Sequence, residues 1–255
     1  MTTGTFSGAP AADPHKTNPA GERKLLRYKL GQRIIHGVLA SSFLLLFLSG
    51  FILLFPPLSW LAAGGTSRLL HRIAGVGFIS VPFLYILFDR AAARELLVES
   101  FQYDKDDIAW LKRMLGYYFG HAADMPPQGR LNAGQKLHHA AVVIMSAFVV
   151  ASGLVLWFAK GSMGGVILGI VVGIHVLTML ALTVLLVGHV YFTFVYSALP
   201  GMTTGYISEE AARREHPKWV EEILAEETHQ QDVEAGSNAQ AHESAKSPNP
   251  VSTKE

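Results

Sequence analysis

Four stretches of the chain, at about 34–55, 69–88, 138–159 and 166–195, are almost continuously apolar, and each runs for about 20 residues or more. At a rise of 1.5 Å per residue, each can cross a hydrocarbon layer roughly 30 Å thick. The pattern predicts four transmembrane helices, the last of which, at about 30 residues, must tilt or project beyond the bilayer. Between the second and third runs, Ile108, Leu111, Leu115 and Tyr118 recur every three or four residues after Asp106 and Asp107. That spacing predicts a short amphipathic helix, lying at the membrane interface or docking a partner. Residues 1–33 are polar, with no apolar core before Ile34, and read as a cytoplasmic tail rather than a signal peptide or a folded domain. After Leu224 the composition turns to Glu, Gln, Ser, Asn and Pro, which predicts a disordered end.

The expected organisation is therefore an N-terminal tail at 1–33, an all-α membrane bundle at 34–200 with a cytoplasmic loop at 89–137, and a cytoplasmic C-terminal segment and tail at 201–255. Composition agrees: 50% of the 255 residues are hydrophobic and only 16% charged, more apolar than an ordinary soluble domain. A net charge of +1 offers no bulk attraction to nucleic acid. Orientation follows from Lys and Arg. The N-terminal tail holds six, the 89–137 loop seven and the C-terminal segment five, against three (Arg68, Arg72, Lys160) in the two other connections. The bias places both termini and the long loop on the cytoplasmic side.

The chain has no cysteine. This excludes disulfides, thiolate zinc sites, iron–sulfur clusters held by this chain and thioether-linked haem, leaving His or Met to hold any redox metal. His36, His71, His175 and His189 lie in or at the ends of the apolar runs, where an ionisable side chain is costly and usually faces the bundle interior. Each alone is explained by an interhelical hydrogen bond; together their positions say more. His175 and His189 are 14 residues apart, close to four helical turns, which puts them on one face at two depths about 21 Å apart. Alternating helix directions then match His71 with His175 near the outer surface and His36 with His189 near the inner one. Two neutral imidazoles facing each other suit the axial positions of a haem b, so two pairs imply two haems.

His138 and His139 compete for the inner position, and a His-His pair at a helix end also serves as an interfacial anchor. Arg33, Arg68 and Arg72 stand close to these histidines, where they either neutralise haem propionates or anchor the topology. Gly50 and Gly153 fall near the depth of the outer pair, where a porphyrin edge needs small residues. A histidine-lined ion or metal transporter is the alternative from another class. It would ordinarily also use Asp or Glu, and none occurs within 34–55, 138–159 or 166–195.

Residues 116–136 read GYYFGHAADMPPQGRLNAGQK and residues 201–219 read GMTTGYISEEAARREHPKW. With the histidine spacing, they resemble the cytochrome b (gamma) subunit of membrane-bound, quinone-linked formate dehydrogenases over about residues 27–223. Asn-Ala-Gly-Gln-Lys at 132–136 is the specific part. Cytochrome b subunits of hydrogenases and thiosulfate reductases share the bundle, and fold alone does not choose the electron donor.

The resemblance implies that His36 and His189 ligate an inner haem b, and His71 and His175 an outer one. It implies a menaquinone or ubiquinone site at Asn132, Gly134 and Gln135; without it, this segment reads as a turn that starts the third helix. It also implies an iron–sulfur (beta) subunit and a molybdenum- or tungsten-containing catalytic (alpha) subunit as partners, in the inner membrane of a bacterium. Formate would be oxidised on the catalytic subunit, and this chain would pass the electrons inward to quinone. The Glu215-His216 pair stands where the family often has a second His.

Overall fold

The computed structural model describes residues 23–119, 124–196 and 198–246. Residues 1–22 of the expected N-terminal tail and 247–255 of the C-terminal one lie outside these. In chain order the elements are β1 (Lys24–Leu26), α1 (Leu30–Leu54), α2 (Ser59–Ala62), α3 (Thr66–Phe88), α4 (Arg90–Phe101), α5 (Lys105–Tyr118), α6 (Ala133–Phe158), α7 (Gly165–Val195), α8 (Leu199–Thr203), β2 (Tyr206–Ser208), α9 (Glu209–Glu215) and α10 (Pro217–Lys246).

α1, α3, α6 and α7 are the four apolar helices, long enough to span a membrane. Their boundaries fall within five residues of the expected ones. They face outward with bare apolar side chains: Leu87 is 77% exposed and Val184 72%, an arrangement that only a hydrocarbon surrounding stabilises. α7, at 31 residues, is about 46 Å long and outruns a layer of roughly 30 Å. α1 packs on α3 and α6 on α7, so the bundle is built of two antiparallel hairpins.

The polar elements gather where α1 begins and α7 ends, and form a cap. β1 pairs antiparallel with β2, Leu25 opposite Ile207. Gly205 makes the approach to β2 possible: its φ is 93°, its carbonyl accepts from the Arg27 and Tyr28 amides, and a Cβ there would sit 2.9 Å from the Tyr28 carbonyl oxygen. Leu25, Ala212, Trp219 and Val220 make a small buried core beneath the strands. Residues 24–26 are thus part of a folded cap and not of a tail.

Three further features depart from the sequence expectation. α4 forms where none was expected, because the Asp89 carboxylate accepts the Ala92 amide at 3.0 Å and starts a helix as α3 ends. α5 starts at Asp104, earlier than Asp106 and Asp107: the Asp104 and Asp107 carboxylates accept each other's backbone amides in a capping box. α10 continues to Lys246, past the Leu224 boundary set for disorder. Ala, Glu and Gln are strong helix formers, and at 225–235 they extend a helix already nucleated against the cap.

Ion pairs tie the cap to the bundle. Lys136 Nζ reaches the buried Asp107 carboxylate at 2.6 Å, joining α6 to α5. Arg130 bridges to Glu95 and Glu99 of α4, and Lys218 to Asp106 of α5 and to Asp104, which caps it.

Candidate functional site

The structure brings the four histidines together in the two pairs read from the sequence. His71 of α3 and His175 of α7 have ring centroids 6.3 Å apart; His36 of α1 and His189 of α7 are 6.1 Å apart, nearer the cap. A metal–imidazole bond of about 2.0 Å, plus roughly 1.1 Å from nitrogen to ring centre, doubled, puts two trans imidazoles about 6.2 Å apart. Both pairs already have that separation.

Around the far pair, a cavity of about 340 Å³ is lined by both histidines, Gly50, Gly153, Arg68, Arg72 and apolar side chains such as Phe78 and Leu182. A Cβ on Gly50 would stand 3.2 Å from His71 Cε1, and one on Gly153 at 3.2 Å from His175 Cε1. The two glycines therefore let the rings lie against α1 and α6. The donor set, its spacing and the apolar cavity fit a haem b held by two neutral imidazoles.

The flanking cations divide. Arg72 lies over the Trp157 ring, 5.4 Å from its centre, and with Arg68 it lines the far cavity, where both guanidinium groups could meet propionates. Arg33 is spent otherwise. It donates to the carbonyls of Met202 and Thr204 at 2.7 and 3.3 Å, and also to that of Thr203, so it ties α1 to the end of α8. Of the competing histidines, His138 lies nearly parallel to His189 at 5.4 Å, short of the roughly 6.2 Å of two imidazoles on opposite sides of one metal. His139 Nδ1 is buried without a hydrogen-bond partner among the described residues.

At the start of α6, Asn132 Oδ1 accepts the Gln135 amide at 2.8 Å and Gln135 Oε1 the Asn132 amide at 3.2 Å. This pair is a capping box, so the structural-turn reading is part of what the segment does. The Ala133 amide bonds to Gln128 Oε1, and the Gly134 N–H takes no partner among the described residues. A Cβ on Gly134 would be 3.0 Å from both the Trp110 ring and the Tyr118 hydroxyl. Tyr118 stacks on Phe192 at 4.7 Å, three residues past His189, so an aromatic wall joins this segment to the near pair.

Behind that wall, Tyr117 donates to Glu215 Oε2 at 2.8 Å and stacks on Tyr196. Burial pushes the Glu215 carboxyl up from the usual range. His216, beside it, is buried and bonds through Nδ1 to the Gly129 carbonyl at 2.9 Å. Burial and the neighbouring Arg27 cation push its pKa down to about 3. Its surroundings give it a structural place, holding the loop before α6.

Sequence reading did not single out Ser49, Ser152, Trp110 or Tyr117, and took Tyr118 only as part of an amphipathic helix face. The serines left a trace, since Ser-Gly occurs at 49–50 and again at 152–153, 22 and 23 residues before a candidate ligand. The aromatics left little, because their neighbours come from distant segments.

A four-helix membrane bundle with facing imidazole pairs is the arrangement expected of a b-type cytochrome. The family model of prokaryotic cytochrome b561 matches residues 27–205, and the chain belongs to that family, whose cofactor is haem b. The histidine-lined transporter is thereby set aside. Among similar proteins is the nitrate-inducible formate dehydrogenase cytochrome b556(Fdn) subunit of Escherichia coli K12, 29% identical over 210 residues, covering 79% of this chain and 92% of that protein. The cytochrome b556(fdo) subunit of the same strain is 27% identical over 206 residues, with 78% and 93% covered. The formate dehydrogenase cytochrome b556 subunit of Haemophilus influenzae is 23% identical over 222 residues, with 82% and 88% covered. The resemblance read from the sequence is borne out.

Proposed function

We propose that this chain is the membrane cytochrome b subunit of a formate dehydrogenase complex in a bacterial inner membrane. It binds one haem b between His71 and His175 and a second between His36 and His189. The observation that carries the reading is the pair of ring separations, 6.3 and 6.1 Å, at two depths of one bundle. Bound haem supplies one-electron exchange; the chain holds the two sites about 21 Å apart along α7. Electrons enter from an iron–sulfur subunit at the far end and leave to menaquinone or ubiquinone at the cap. The chain has no cysteine for a cluster, so formate is oxidised on a separate molybdenum- or tungsten-containing subunit.

The excess of Lys and Arg at the cap supports a cytoplasmic cap. Asn132 and Gly134 support the quinone site there, offering a side-chain amide and a free backbone N–H beside the aromatic wall. Gln135 fixes the Asn132 backbone through the capping box. Quinone reduction takes two electrons and two protons, and Glu215, whose carboxyl burial pushes up and which accepts from Tyr117, is placed to hold one of the protons.

The test replaces one ligand at a time in the assembled complex. With His71→Ala, the remaining haem should stay oxidised when formate is supplied. With His189→Ala, the remaining haem should be reduced by formate while quinone is not. Equal reduction of the remaining haem by formate in the two variants, with assembly shown to be intact, would overturn the proposed order.

A further inference from the structure

The far pair sits in a setting that occurs twice. His71 Nδ1 is 2.9 Å from Ser49 Oγ, and His175 Nδ1 is 3.0 Å from Ser152 Oγ. Each serine oxygen also lies against the carbonyl four residues earlier in its helix, Ser49 at 2.5 Å from Leu45 O and Ser152 at 2.7 Å from Phe148 O. A hydroxyl has one proton to give. Donated to the helix carbonyl, it leaves the oxygen only able to accept from the ring. The hydrogen of each imidazole is therefore on Nδ1, and the lone pair on Nε2, turned away from the serine.

The next residue is glycine in both cases, and a Cβ there would stand 3.2 Å from the ring Cε1, so the absence of a side chain lets the ring approach this closely. Both serines are buried, at 5% and 6% exposure, so water does not compete for these bonds. The near pair is held differently: among the described residues, no side chain hydrogen-bonds to the ring of His36 or His189.

An acceptor at Nδ1–H makes an imidazole a more electron-rich ligand and favours the oxidised metal. We propose that Ser49 and Ser152 are positioning residues that present both far-end imidazoles through Nε2 and lower the potential of the haem bound there, relative to the one at the cap. An electron passing from the far site to the near site then leaves the lower potential for the higher, which oxidises the first and reduces the second. This rests on the reading of the two histidine pairs as axial ligands.

The test uses the full complex with Ser49→Ala, Ser152→Ala, the double variant and the hydroxyl-keeping Ser49→Thr and Ser152→Thr. Haem content of the unaltered complex is measured first; fewer than two haems per chain defeats the underlying reading before any serine is changed. The far and near haems are told apart spectrally with His71→Ala and His189→Ala. Redox titration should then show the far-end midpoint rising in each Ala variant and further in the double, with the near-end midpoint unmoved and the Thr variants unchanged. Low-spin electron paramagnetic resonance should shift for the far haem alone. Loss of the far haem in the Ala variants but not in the Thr variants supports the same role, read at the level of binding. The proposal is overturned if both haems remain and neither midpoint moves, if both move equally, or if Thr acts like Ala.

Discussion

Acidification should open the cap at its seam with α6, and His216 sets where. Its imidazole is buried against Trp219, bonds to the Gly129 carbonyl and faces the Arg27 and Arg130 cations. In the folded chain it resists protonation down to about pH 3, against an ordinary value of 6.5. A histidine whose folded pKa is depressed binds fewer protons folded than unfolded between the two values, so stability falls as pH drops through that window. Above about pH 6.5 neither state is charged and nothing is lost. At pH 5 the opened state has gained a proton that the closed one refuses, a loss of about 2 kcal/mol and roughly a 30-fold rise in the open population.

Hydrogen exchange followed by mass spectrometry, corrected for the intrinsic pH dependence of exchange, should show 124–132 and 206–224 losing protection between pH 7 and 5. The apolar spans should stay protected. His216→Asn, which cannot titrate, should weaken the pH dependence while lowering protection throughout. Unchanged protection at pH 5, or the same pH response in His216→Asn, refutes the reasoning.

Asn132→Ala removes both a helix cap, at a cost of about 1 kcal/mol, and an amide donor. Asn132→Asp keeps the capping oxygen and loses the donor, so quinone reduction should fall in both variants while α6 protection falls only in the first; full turnover in Asn132→Asp would leave the segment a cap alone. Lys136→Met strands the buried Asp107 carboxylate and should destabilise the cap by about 3–5 kcal/mol, with Lys136→Met/Asp107→Leu recovering much of it; thermal unfolding checks this, and a double variant no better than the single would show that the pair does not couple. A cysteine introduced at the exposed Lys105 should be protected from impermeant reagents applied to the outer face of intact cells, and labelling from that face would reverse the orientation.

What was legible in the sequence follows from where each element finds its stabilisation. α1, α3, α6 and α7 bury their apolar side chains in lipid, so each run carries its own signal, independent of partners, and the boundaries came out within a turn or so. The four histidines were legible for the same reason, since a polar ring in an apolar run is conspicuous and helical spacing fixes its depth. β1 and β2 are three residues each and stabilised by one another across about 180 positions, so no local pattern marks them. α4 depends on the Asp89 cap and on Arg130 bridging to Glu95 and Glu99, contacts that only the folded chain assembles. Arg33 read as a propionate partner or a topology anchor because its distance from His36 is local, whereas the carbonyls it donates to come from 202–204.

The central claim is that one bundle holds two haems b, each between two imidazoles. Pyridine haemochrome analysis of the purified protein, with the reduced-minus-oxidised spectrum and an accurate protein concentration, tests it most directly. Two non-covalent b-type haems per chain are expected, both six-coordinate and low-spin, falling to one in His71→Ala or His36→Ala. One haem per unaltered chain, or two that survive the loss of both His71 and His36, contradicts it.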